Sequence, residues 1–236
     1  MYHVHIIFTQ HAAEGNVNSY ELLKLIESIQ PDVIFEEILY VVYDQVYVQQ
    51  NRPKLESEAV KAYLMTNDLE LIPVDTFEPP DGYYSRQNHL LEVLGRNIYK
   101  SVRHNNAFTN LIYSSTAGGF PFLNSDENDT LLNDLENEQN QHLAELGDDN
   151  LNQIAALRNE VNSKRDDVMI DNIYKYAEQT KFQKAVFLIG AGHRRSIKKK
   201  LDKIEPRYGV EIKWHFLGSS VRSSGDEHIL DSSLKT

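Results

Sequence analysis

The residues of this chain best suited to chemistry are two histidines, each standing just after a short apolar run. His11 follows Val4-His5-Ile6-Ile7-Phe8, and His193 follows Val186-Phe187-Leu188-Ile189 through the turn Gly190-Ala191-Gly192. Acidic residues occupy two comparable places: Glu36-Glu37 after Val33-Ile34-Phe35, and Asp75 after Leu69 to Val74. Histidine and carboxylate together make the ligand set of a divalent metal with a position open for water. A metal so held lowers the pKa of its water towards ~7 and supplies hydroxide. His11, Glu36, Glu37, Asp75 and His193 are therefore the candidate ligands, and Mn, Fe, Co or Zn the candidate metals. The chain has no cysteine, which excludes disulfides, a thiol nucleophile and thiolate ligands. In strand geometry Glu36 and Glu37 point to opposite faces, so only one of them can reach such a site. Arg165 is placed to clamp an anionic group or an oxyanion, with an ordinary ion pair as its plainer reading. Gly190 and Gly192 would let backbone approach a ligand at the start of the following helix. The same turn fails as a dinucleotide fingerprint, because Arg195 stands where the third glycine belongs.

The elements that must position these residues can be read from apolar spacing. Val4 to Phe8 reads as a buried strand, and Leu22, Leu23, Ile26 and Ile29 form the stripe of a helix that Pro31 stops. A second strand runs to Glu36-Glu37, a helix covers about 56–67, and a third strand ends at Asp75. Strand, helix, strand, helix, strand is the pattern of parallel βαβ units, whose ligands sit outside the carboxyl ends of the strands. The turn Glu78-Pro79-Pro80-Asp81-Gly82 opens a different stretch, read as a mostly helical insertion or cap over about 79–157. Within it, Ser114 to Asn124 reads as a glycine-rich loop. Tyr83-Tyr84, Tyr113 and Phe120-Pro121-Phe122 either line a groove or belong to the core. A helix over about 151–179, a strand over Lys184 to Ile189, a basic helix and a strand over Val210 to Phe216 complete the chain, with a loose tail after Leu217. The fold class expected is α/β: one domain over 1–236, a central mostly parallel sheet flanked by helices, interrupted by the helical cap.

The net charge of −11 argues against general nucleic-acid binding. Nine acidic residues and no Lys or Arg lie between Asn124 and Asn150, most simply as a solvated face. A basic cluster runs from Arg194 to Arg207. The N-terminus has neither the basic start nor the apolar stretch of a signal peptide, and no run reaches the roughly 18 apolar residues of a membrane helix, so a cytoplasmic location is expected. His3-Val4-His5 sets two imidazoles on one face. It opens its strand rather than closing it, and 236 residues are few for an eight-stranded βα barrel, so the pair is left outside the site.

These pieces together resemble the superfamily that joins TraB/PrgY-type proteins, TIKI metalloproteases, GumN-like proteins, haem-binding ChaN lipoproteins and erythromycin esterases. Gly190-Ala191-Gly192-His193 matches the second of that superfamily's Gly-x-x-His motifs, and Phe8-Thr9-Gln10-His11 keeps the Thr and His of the first, with Phe8 at the glycine position. Pro31-Asp32-Val33-Ile34-Phe35-Glu36-Glu37 is similar to its Pro-Asp-x-Val-x-x-Glu segment, which selects Glu37 with Glu36 as fallback. Ile72-Pro73-Val74-Asp75 fits its third strand, and Arg165-Asp166-Asp167-Val168-Met169 resembles its Arg-Asp-x-x-Met helix. The resemblance implies hydrolysis of an amide, peptide or ester bond by His11, Glu37 and His193. Arg165 would stabilise developing negative charge and Asp75 would support the site. In the TIKI-like branch a divalent metal activates the water, whereas in the esterase-like branch a histidine is the general base without metal. The esterase-like branch also carries a glutamate where Phe8 stands, so the expectation is the metal-dependent hydrolase, acting on a small molecule or peptide. Two competing readings use the same residues differently: a non-catalytic binder of peptide or haem in the same crevice, or a regulatory protein working through its acidic segment.

Overall fold

The computed structural model describes residues 1–49, 54–98 and 101–218. Five parallel strands, β1 (Tyr2–Thr9), β2 (Val33–Leu39), β3 (Glu70–Asp75), β4 (Lys184–Gly190) and β5 (Ile212–Phe216), hydrogen-bond in the order β3-β2-β4-β1-β5. Side chains of a strand alternate between faces, and both faces of this sheet are covered. On one, Val4, Ile6, Phe8, Val33, Phe35, Ala185, Phe187 and Ile189 pack with Met169, Ile173, Tyr174 and Ile197. On the other, Ile7, Ile34, Val186 and Leu188 pack with Leu22, Ile26, Ala59 and Val60. That explains the unbroken apolar runs, since a sheet buried on both sides has no polar face. Pro73, which cannot donate to a ladder, sits in the edge strand β3.

The flanking helices are α1 (Ser19–Ile29) and α3 (Leu55–Leu64) on the second face, and α7 (Asp149–Gln179) and α8 (Arg194–Leu201) on the first. Asn18 caps α1 by accepting the Glu21 N–H. A short helix α2 (Tyr40–Tyr43) and a wide turn over Asp44–Val48 follow β2. Between β3 and β4 come α4 (Tyr83–Ile98), α5 (Val102–Leu123) and α6 (Asp126–Leu146), then the 31-residue α7, which leads back to the sheet. Leu90, Leu94, Leu143, Leu151 and Ile154 of α4, α6 and α7 form a small core of their own. Among the described residues no helix is long and apolar enough to cross a membrane.

Two expectations need correction here. Ser114 to Leu123 is not a loop: it lies in α5, which bends at Gly119 (φ 62°, ψ −149°) and ends at Asn124. A side chain is strained there, and a Cβ would also lie 3.1 Å from Asn16. The bend turns Phe120 and Phe122 into the core beside Leu22 and Ile7, so they line no groove. The acidic segment is also not simply a solvated face. Its start is capped by Ser125 and docks on the basic helix α8, where buried Arg194 pairs with Asp126 (3.1 Å) and Asp129, Lys198 with Asp126 (2.8 Å) and Arg195 with Glu136 (2.6 Å). The tail beyond Gly218 lies outside the described residues.

Candidate active site

From β1 the chain crosses over β4 to reach β2, and from β4 it crosses over β1 to reach β5. The two connections leave adjacent strands in opposite directions, which makes the β1–β4 boundary a switch point where α/β sheets open a crevice. Thr9 and Gly190 are register partners at that boundary, and the polar residues gather around them.

On the β4 side, His193 follows the tight turn Ala191–His193 and lies between two acids. Its Nδ1 donates to Asp166 of α7 at 2.5 Å, and its Nε2 is 3.2 Å from Glu37. Burial alone would lower the pKa of this ring, but the bonds to Asp166 and Glu37 and their charges raise it to about 10. His193 is therefore an imidazolium at neutral pH. Glu37 answers it: burial would raise its pKa, yet the bond and charge of His193, the Arg165 charge and the Gly190 N–H (2.8 Å) hold it near 2. Arg165 completes the chain of alternating charge, donating to Glu37 at 2.6 Å and, through Nε and Nη2, to Asp75 at 2.9 and 2.7 Å.

On the β1 side, the His11 ring donates to Glu56 of α3 at 3.1 Å, and the Thr9 hydroxyl donates to the same oxygen at 2.7 Å. The side chain of His11 is 56% exposed whereas that of Glu56 is 4% exposed. The second Glu56 oxygen is buried and has no partner. Glu36, also buried, accepts the hydroxyl of Tyr47. Burial is the largest influence on this carboxyl and lifts its pKa to about 7, with the nearby Glu56 charge adding to the rise.

Glu36 and Glu37 point to opposite faces as strand geometry requires, Glu36 to Tyr47 on the α3 side and Glu37 to Arg165 and His193 on the α7 side, yet they meet at the strand end. Both line one small cavity, together with Thr9, His11, Lys54, Glu56 and Gly190. Beyond Glu36 the strand bulges, since three steps from Glu36 to Leu39 match only two from Pro73 to Asp75. The cavity holds about 10 Å³, room for one water molecule.

All of the expected site residues thus lie along one sheet edge, but they do not assemble as metal ligands. Among the described residues no three of His, Asp and Glu form a group fit to hold a metal ion. Both ring nitrogens of His193 and both oxygens of Glu37 are already committed, and the Arg165 guanidinium supplies the positive charge between Glu37 and Asp75. His11 faces a different acid, Glu56. The donor set His11, Glu36, Glu37, Asp75 and His193 does not fit a divalent cation as it stands, and Arg165 acts on carboxylates of its own chain. Gly190 has a structural need for its missing side chain, since a Cβ would come within 3.3 Å of a Glu37 oxygen. Gly192 has open space around it.

Sequence reasoning missed Asp166, Glu56 and Tyr47. Asp166 could have been found, because it neighbours Arg165 and precedes Met169 by three residues on a helix whose inner stripe includes Met169 and Ile173. Glu56 and Tyr47 carry no signal: an acid in the first turn of a helix is ordinary, and the turn that aims Tyr47 has no pattern of its own. The His3-Val4-His5 pair lies towards the amino end of β1, stacked against His215 of β5 and away from this edge.

No protein-family model, curated protein or solved structure matches this chain.

Proposed function

We propose that the protein hydrolyses an ester or amide bond, using a water held at the carboxyl ends of β1, β2 and β4. The observation that carries this reading is the water-sized cavity whose wall includes Glu36, a carboxyl with a pKa of about 7. A general base works best when its pKa lies near the working pH, and Glu36 meets that condition where Glu37, held ionised and fully bonded, does not. Water attacks the acyl carbon as Glu36 takes its proton. Collapse of the tetrahedral species then breaks the acyl–oxygen or acyl–nitrogen bond, and the leaving group receives that proton from Glu36.

The other residues have supporting parts. His11 is the exposed member of the wall, turned by its bond to Glu56 so that its free ring nitrogen meets the substrate. Lys54, which lines the cavity and whose charge acts on Glu36, supplies the positive potential that favours the developing oxyanion, while His193, oriented by Asp166, holds Glu37. Arg165 and Asp75 hold Glu37 in place behind them. This arrangement is nearer to the metal-free, esterase-like branch of the superfamily that the sequence resembles than to its metal-dependent branch.

The test is turnover of a panel of aryl esters and aminoacyl anilides by chelator-treated protein. Wild type should show activity rising with an apparent pKa near 7, and Glu36→Gln should lose about 10²-fold or more, the usual worth of a general base. No turnover anywhere on the panel, or turnover unchanged in Glu36→Gln, overturns the reading.

A further inference from the structure

A second feature of the molecule is larger than the water-sized cavity and lies on the other side of His193. It is an open groove of about 740 Å³ between α6, α7 and the start of α8. That volume suits a ligand of the size of a nucleotide or a sugar phosphate. Its wall is built from two helical stripes: one on α7 that includes Arg158 and Asp166, and one on the other side that includes Gly192, Arg195 and Lys199.

We propose that this groove binds a small molecule through a phosphate group. The acids on the wall are already spoken for, Asp166 by His193 and Glu136 by Arg195. Arg158 and Lys199, by contrast, form no ion pair among the described residues, and both face the groove. The groove therefore carries surplus positive charge in a chain whose net charge is −11. A forked guanidinium and an ammonium line it together with hydroxyl and amide groups able to donate. That is the complement of a tetrahedral, doubly charged group with several acceptor oxygens. The open space at Gly192 leaves the main chain at the start of α8 accessible to the same group. Nothing in this argument requires that the chain be a hydrolase.

Calorimetric titration with pyrophosphate, at fixed ionic strength, tests it on the whole chain. Citrate serves as a carboxylate probe of comparable charge. Wild type should bind pyrophosphate saturably, and Arg158→Gln and Lys199→Gln should each weaken binding by about tenfold or more, one good charged contact apiece. Lys175→Gln, which lies outside the groove, should bind as wild type does, and thermal unfolding shows that the variants are folded. Absence of saturable binding, or equal binding by all four proteins, overturns the site. Citrate binding as tight as pyrophosphate overturns the assignment to phosphate. Because the readout is binding, its failure is distinguishable from a failure of the ester and amide panel.

Discussion

Along the carboxyl edge of the sheet Asp166, His193, Glu37, Arg165 and Asp75 alternate in charge, each within hydrogen-bonding distance of the next. An ion pair taken out of water recovers its desolvation cost only when every partner is present, so the sum is far more sensitive to losing one member than to the strength of any one contact. Arg165 is the member with the most to lose, since it alone separates the Glu37 and Asp75 carboxylates, both nearly buried. Arg165→Met should therefore destabilise the fold by about 3–5 kcal/mol in urea unfolding at neutral pH. Adding Asp75→Asn should recover part of that loss by removing one uncompensated charge. A loss below about 1 kcal/mol, typical of an exposed pair, would mean that the network is solvated and does not lock α7 to the sheet. The sequence placed His193, Glu37 and Asp75 at the right edge, because strand ends are legible from where apolar runs stop. It misjudged what they do there. Whether a carboxylate meets a metal or an arginine depends on a side chain arriving from α7, some 90 residues from Asp75 along the chain.

At the level of elements, the site rests on how α5 meets β1. The β1–β5 pairing ends at Ile6 with Phe216, which leaves the main-chain groups of Phe8 without a strand partner on that side. Asn124, just past α5, supplies one: its carbonyl oxygen accepts the Phe8 N–H at 2.9 Å, and its amide donates to the Phe8 carbonyl at 3.0 Å and to Phe120 at 2.9 Å. An asparagine amide reproduces a peptide group, so it extends the ladder by one residue next to Thr9 and His11. Asn124→Leu should leave both Phe8 groups buried and unpaired, at about 1–3 kcal/mol each, read as a lowered urea midpoint. Asn124→Gln, with the amide set one carbon further out, should not rescue it, and a wild-type midpoint in Asn124→Leu would show that the contact is dispensable. This junction also shows where sequence reading stopped. The βαβ order, the caps and the buried strands follow from periodicity, and α5 does not, because Gly118-Gly119 and Pro121 are ordinary loop signals. Only the packing of Phe120, Phe122 and Leu123 against the sheet makes that stretch helical on both sides of its bend.

For the molecule as a whole, the shifted groups set how stability changes with pH. The sign for each follows from whether its pKa rises or falls on folding. Glu36 is raised from 4.5 to about 7, so its contribution is present below 4.5 and is lost as pH climbs through 7. His215 goes the other way: burial and the charges of His5 and His3 lower it from 6.5 to about 4, so stability is intact above 6.5 and is lost as pH falls through 4. The two oppose each other between 4.5 and 6.5, and the wild-type curve should be flatter there than that of either single variant. Removing one unmasks the other: Glu36→Gln should steepen the loss of stability towards acid, and His215→Gln should leave a curve that declines as pH rises. His193, raised to about 10, contributes fully below 6.5 and loses its contribution on the alkaline side. His193→Gln should therefore be flatter than wild type from pH 7 to 9, although less stable in absolute terms. Urea midpoints taken between pH 4 and 9 on the four proteins resolve these slopes. An acid limb unaltered in His215→Gln would mean that the stacked imidazoles of β1 and β5 titrate in the folded protein as they do in the open chain. An alkaline limb unaltered in His193→Gln would mean that this ring is not held charged between its two carboxylates.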